Sequence, residues 1–175
     1  MDAEILRKAP KVVLHDHLDG GLRPKTIIEL AEENNYQDLP TTNIKELSEW
    51  FHQGADRRDL SLYLETFQHT VGVMQTTDAC YRVAAECAED LAADGVVYAE
   101  VRYAPSLMTS KGSSLDEVIE ATTAGFAEGS KNSNLTIGTL ITAMRTANDS
   151  LEIAEAAIRH RDRGVVGFDI AGREA

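Results

Sequence analysis

The chain has 175 residues, 43% hydrophobic and 26% charged, which is ordinary globular composition and argues against disorder. It carries 29 acidic against 17 basic side chains, a formal charge of −12 and no basic run, so a nucleic-acid polymer is not an expected partner. No stretch approaches the roughly 20 apolar residues of a membrane span, and Met1-Asp2-Ala3-Glu4 lacks the basic and apolar regions of a signal peptide, so the sequence reads as cytoplasmic with no membrane partner.

The first element is Lys11-Val12-Val13-Leu14-His15-Asp16-His17, an apolar run ending in two histidines one residue apart. On a strand, alternate side chains share a face, so His15 and His17 can reach one point while Asp16 turns away. Two imidazoles so placed can bind one metal ion at about 2.0–2.1 Å each. The bland alternative is two polar residues at a strand end, but the apolar run before them and Asp19-Gly20-Gly21 after them favour a site.

A helix follows, with Pro24 in its first turn and Ile27, Leu30 and Ala31 on one face, ending near Asn34-Asn35. Asp38 to Thr42 is a loop, and Ile44 to Gln53 is a second helix capped by Asn43 and stopped by Gly54. From Leu60 an apolar helix begins, then a longer one over Asp78 to Asp94 with a small-residue face at Ala84, Ala85, Ala88 and Ala92, stopped by Gly95. Cys80 and Cys87 lie two turns apart on that helix, roughly 10 Å and beyond disulfide reach, so both are expected as reduced thiols.

Val96 to Ala104 is a strong second strand ended by Pro105. Leu115 to Lys131 is a helix opened by Ser113-Ser114, and Leu135 to Ala143 is a third strand. A further helix runs from Asp149-Ser150 to about Arg163, Gly164 closes it, and Val165 to Ala171 is a fourth strand. Strands and helices alternating at these lengths imply an α/β fold with parallel strands and right-handed crossovers.

Two architectures share that pattern, an open doubly wound sheet and a (β/α)8 barrel. Asp19-Gly20-Gly21 is not the G-x-G-x-x-G loop of a dinucleotide-binding sheet. Polar residues instead collect after every strand: His15, His17 and Asp19, then Arg102, then Arg145, then Asp169 with Gly172. That is how barrel enzymes build active sites, but a whole barrel needs about 250 residues. The expected fold is an incomplete (β/α)8 TIM barrel of about four βα units. Residues 1–175 would form the amino-terminal half of one domain.

The segment Pro10 to Gly20 resembles the first-strand signature of the adenosine deaminases, zinc-dependent members of the amidohydrolase barrel superfamily. Tyr63 to Phe67, Gly95 to Pro105, Ala143-Met144-Arg145 and Gly167 to Gly172 are similar to further family segments, in family order. The resemblance implies that His15 and His17 are ligands of a single zinc ion and that His17 also lies against the substrate. It further implies that Asp19 accepts a hydrogen bond from the ribose 5′-hydroxyl, and that the Gly172 N–H faces a purine ring nitrogen.

Tyr63, Leu64, Phe67 and Met144 resemble residues that cover the nucleoside pocket, although on spacing alone they read as core. Arg102 and Arg145 are read as tying rim carboxylates such as Glu100 or Asp169 into a polar network. Arg173 departs from the small or acidic residue expected after Gly172.

The implied reaction is hydrolytic deamination of adenosine or deoxyadenosine to inosine and ammonia in purine metabolism. The family's acid, base and remaining metal ligands come from strands five to eight. His52, His69 and His160 fall on helices and do not complete the site. The 175-residue chain alone is therefore expected to be inactive, and to self-associate through its open sheet edges. Two other readings stand: a non-catalytic half-barrel remnant or binding module, and an adenine deaminase. The second is disfavoured because such enzymes tend to carry Glu where this chain has Asp19.

Overall fold

Val12, Val13 and Leu14 favour extended backbone, and in the computed structural model, which describes residues 3–56, 58 and 60–172, they form the middle of strand β1 (Lys11–His17). The strand continues through both histidines. The other strands are β2 (Val96–Tyr103), β3 (Thr136–Met144) and β4 (Val165–Ala171). They form one sheet in the order β1-β2-β3-β4, every pair parallel. Sequential parallel order with helical crossovers is the expected α/β pattern.

The helices are α1 (Ala3–Lys8), α2 (Pro24–Asn34), α3 (Ile44–Ala55), α4 (Leu60–Val73), α5 (Thr77–Ala93), α6 (Leu115–Ser130) and α7 (Ser150–Arg159). Helix α1 was not anticipated: its six residues are too few for an apolar period to show. Gly54 does not stop α3 but lies buried within it, where a Cβ would strike Thr66 of α4. Helix α7 stops at Arg159 rather than Arg163, because His160 turns inward and a short 3-10 turn (Arg161–Arg163) leads into Gly164 at φ +100°.

The outer face of the sheet and the helices enclose the core. Ala99, Val101, Ile141 and Ala143 of the sheet are buried with Val83 and Ala84 of α5, Val118 and Ile119 of α6 and Ile153 of α7. The small-residue face of α5 has its reason in α6, where Gly125 and Gly129 press against the carbonyls of Tyr81 and Ala85 and leave no space for a Cβ. Helix α6 opens on a capping box between Ser114 and Glu117, and α5 is capped by Thr76. Cys80 and Cys87 are free thiols, both pushed up to about 12 by burial. Among the described residues, apolar side chains of the first and last strands are left uncovered: Val12, Leu14, Val166, Phe168 and Ile170 are all exposed.

Candidate functional site

Strand period places His15 and His17 on one face of β1, and the rings converge: the two Nε2 atoms are 3.2 Å apart, with ring centroids at 5.2 Å. Nitrogens so spaced subtend about 100° at an ion held at about 2.1 Å, close to the tetrahedral angle of zinc. The donor set therefore fits two of a zinc ion's ligands. Among the described residues, no group of three or more His, Cys, Asp or Glu side chains gathers to hold a metal. Burial, then the neighbouring His15 and Arg102, pushes the His17 imidazole below its ordinary pKa and favours the neutral form that a metal binds. Phe67 packs against His17 in a T-shaped contact, with ring centroids 6.3 Å apart.

Directly after β1 a 3-10 turn (Leu18–Gly20) drops Asp19 into the interior, where it is only 7% exposed. Burial raises its carboxyl to about 6, and its Oδ1 has no hydrogen-bond partner among the described residues. His17 Nδ1 stands 3.9 Å away, beyond hydrogen-bond reach. A buried acceptor without a partner is costly and marks a place where a donor from a ligand is welcome.

Asp19 and His17 share a cavity of about 280 Å³ at the carboxyl ends of the strands. Its wall is apolar, with Tyr63, Leu64, Phe67 and Val71 of α4 on one side and Tyr103, Ala104 and Leu107 on another. Met144, Ala171 and Gly172 close it from β3 and β4. Gly172 sits at φ +104°, a conformation that L side chains rarely adopt, and a Cβ there would crowd the Met144 methyl at 3.2 Å. A flat aromatic ligand with a few polar atoms matches such a lining.

His15, His17, Asp19 and Gly172 thus stand at one end of the sheet, and His17, Asp19 and Gly172 line one cavity. Tyr63, Leu64, Phe67 and Met144 are part of that cavity wall rather than interior packing. Arg102 behaves as expected for a rim cation. It reaches across the inner face to Asp169 on β4 at 2.6 Å and donates to the Leu14 carbonyl at 3.2 Å. Arg145 donates to the Gly172 carbonyl at 3.4 Å. Arg173, together with Met1 and Asp2, lies outside the described residues. The cavity contributions of Val71 and Leu107 went unread in the sequence, since nothing in their spacing separates a pocket wall from core.

Four parallel strands in sequential order, with helices on one face and a polar rim at the strands' carboxyl ends, are the arrangement of half of a (β/α)8 barrel. Residues 10–175 match the sequence model of the adenosine deaminase family, and the chain belongs to that family. It is 63% identical over 175 residues to adenosine deaminase 1 of Streptomyces coelicolor, covering 97% of this chain and 44% of that protein.

Among solved structures, it is similar to arabidopsis ADAL complexed with IMP, with a TM-score of 0.80 and 26% identity over 97% of this chain and 51% of the other. A cog1816 amidohydrolase from Burkholderia ambifaria, solved with bound Zn, has a TM-score of 0.84 at 22% identity, covering 99% and 48%. That likeness is one of fold. The chain spans about half the length of the relatives it matches.

Proposed function

We propose that residues 1–175 are the amino-terminal half of a single barrel domain. They carry half of the metal site and most of one side of the nucleoside pocket of a hydrolytic adenosine deaminase. The observation that carries this reading is the 3.2 Å approach of the His15 and His17 Nε2 atoms beside the cavity that Asp19 also lines. Family membership supplies the reaction class: water replaces the amino group of adenosine or deoxyadenosine, giving inosine and ammonia.

His15 and His17 hold one zinc ion. When bound, the ion supplies water acidic enough to furnish hydroxide at neutral pH. His17 also borders the ligand, and its depressed pKa keeps it an acceptor toward the metal. Asp19 accepts from a sugar hydroxyl, which gives its buried Oδ1 the partner it lacks. The backbone N–H of Gly172 holds a ring nitrogen, its missing Cβ letting the base approach. Tyr63, Leu64, Phe67 and Met144 cover the base and keep water away from it. The chemical class of partner fits the IMP found in the arabidopsis protein, a purine on a ribose.

The experiment is to assay two proteins, the 175-residue chain and a family-length chain that begins with it, for zinc content and for conversion of adenosine to inosine. The expected result is turnover by the longer protein and none by the shorter. Family-like turnover by the 175 residues alone, or none by either, contradicts the reading.

A further inference from the structure

Gln75 sits in the short link between α4 and α5, is 6% exposed, and uses every hydrogen-bonding position of its amide. Its Nε2 donates to the Val71 carbonyl at 2.7 Å and to the Leu107 carbonyl at 2.9 Å. Its Oε1 accepts from the Ser110 N–H at 3.1 Å and from the Ser110 hydroxyl at 2.5 Å. Two carbonyls on one side and an N–H on the other fix the orientation of the amide without ambiguity. Only a primary amide offers two donors and two lone pairs in one plane: a carboxylate would lack the donors and an ammonium the acceptors.

Two of the groups so tied belong to residues that line the candidate pocket from different elements. Val71 is on α4, Leu107 is in the 3-10 turn after β2, and both line the 280 Å³ cavity. The Leu107 N–H bonds to the Ala104 carbonyl three residues back. Gln75 therefore spans the seam between the helix that covers the pocket and the loop that faces it.

We propose that Gln75 is a positioning residue that sets the separation of the Val71 and Leu107 walls and thereby the affinity for the nucleoside. It touches neither substrate nor the reacting atoms. The proposal rests on the deaminase reading above. Walls of this kind contact the bound substrate and the transition state alike, so loosening them raises KM and leaves kcat nearly unchanged.

The test uses the family-length protein with Gln75→Met, which keeps the side-chain length without the amide, and the isosteric Gln75→Glu, which packs like the original but turns a carboxylate toward two carbonyls. KM for adenosine is expected to rise about tenfold in Gln75→Met with kcat within about twofold, and at least as much in Gln75→Glu. Hydrogen exchange at the Ser110 amide should quicken in Gln75→Met. A role in fold stability alone predicts that both variants unfold at lower urea while the folded protein keeps the wild-type KM. An active wild type whose folded variants keep its KM overturns the clamp alone. A wild type that does not turn over adenosine overturns the deaminase reading and the kinetic role of Gln75 with it.

Discussion

Two aspartates, one at the rim of the sheet and one in the helical layer, are shifted in opposite directions. Asp116, in the first turn of α6, receives three hydrogen bonds from Arg159 at 3.0–3.2 Å and pairs with His160 Nε2 at 2.7 Å. The Arg159 guanidinium, then His160, holds its carboxyl below the usual range. Among the described residues, Asp19 has only the His17 imidazole near it, at 3.9 Å, and burial pushes its carboxyl up to about 6. The helical layer places charge where it is stabilised, whereas the rim keeps a charge where it is costly. That is the pattern of a site arranged for a ligand rather than for the stability of the fold.

The difference can be broken at either end. The larger effect belongs to Asp19. A carboxyl raised from 3.8 to about 6 is protonated in the fold while the unfolded chain ionises, so the metal-free chain loses stability as pH rises from about 4 through 6. A shift of about two units corresponds to about 3 kcal/mol at neutral pH. Asp19→Asn should therefore stabilise the metal-free chain by about 2–3 kcal/mol in urea unfolding at pH 7.5, with the gain vanishing near pH 4. In the family-length protein the same change should weaken nucleoside binding. Stability unchanged across that range would show that Asp19 has a protein partner after all.

Asp116 should respond with the opposite sign and less strongly, because it is half exposed and screened. Its lowered pKa makes its contribution fully present at neutral pH and lost as pH falls through the folded value. Asp116→Asn should cost about 0.5–1 kcal/mol at pH 7 and progressively less below pH 4, read from the same unfolding curves. A stabilising effect at pH 7 would remove the contrast between the two regions.

What the sequence made legible follows the same division. The four strands and the long helices announced themselves because their apolar period is sustained and their ends carry Pro24, Asn43, Ser114, Gly95 and Gly164. His15 and His17 were readable because alternate positions on a strand must share a face. Gly54 misled because a glycine can end a helix or let another chain segment come close, and only Thr66 on α4 decides which. His160 misled similarly: its partner Asp116 is 44 residues away, so nothing local shows that the helix yields to that contact. Gln75 was missed for the same reason, although a lone amide after the apolar run Val71-Gly72-Val73-Met74 is a signal that a buried polar group needs partners.

The central claim is that the two imidazoles of β1 act together on one metal ion, and zinc titration of the chain followed by NMR of its five histidine rings tests it most directly. The account predicts that the His15 and His17 ring resonances move together and reach their end point at one equivalent of zinc, while His52, His69 and His160 stay in place. Movement of any of those three in preference to the β1 pair, or independent movement of His15 and His17 at different zinc concentrations, would contradict it.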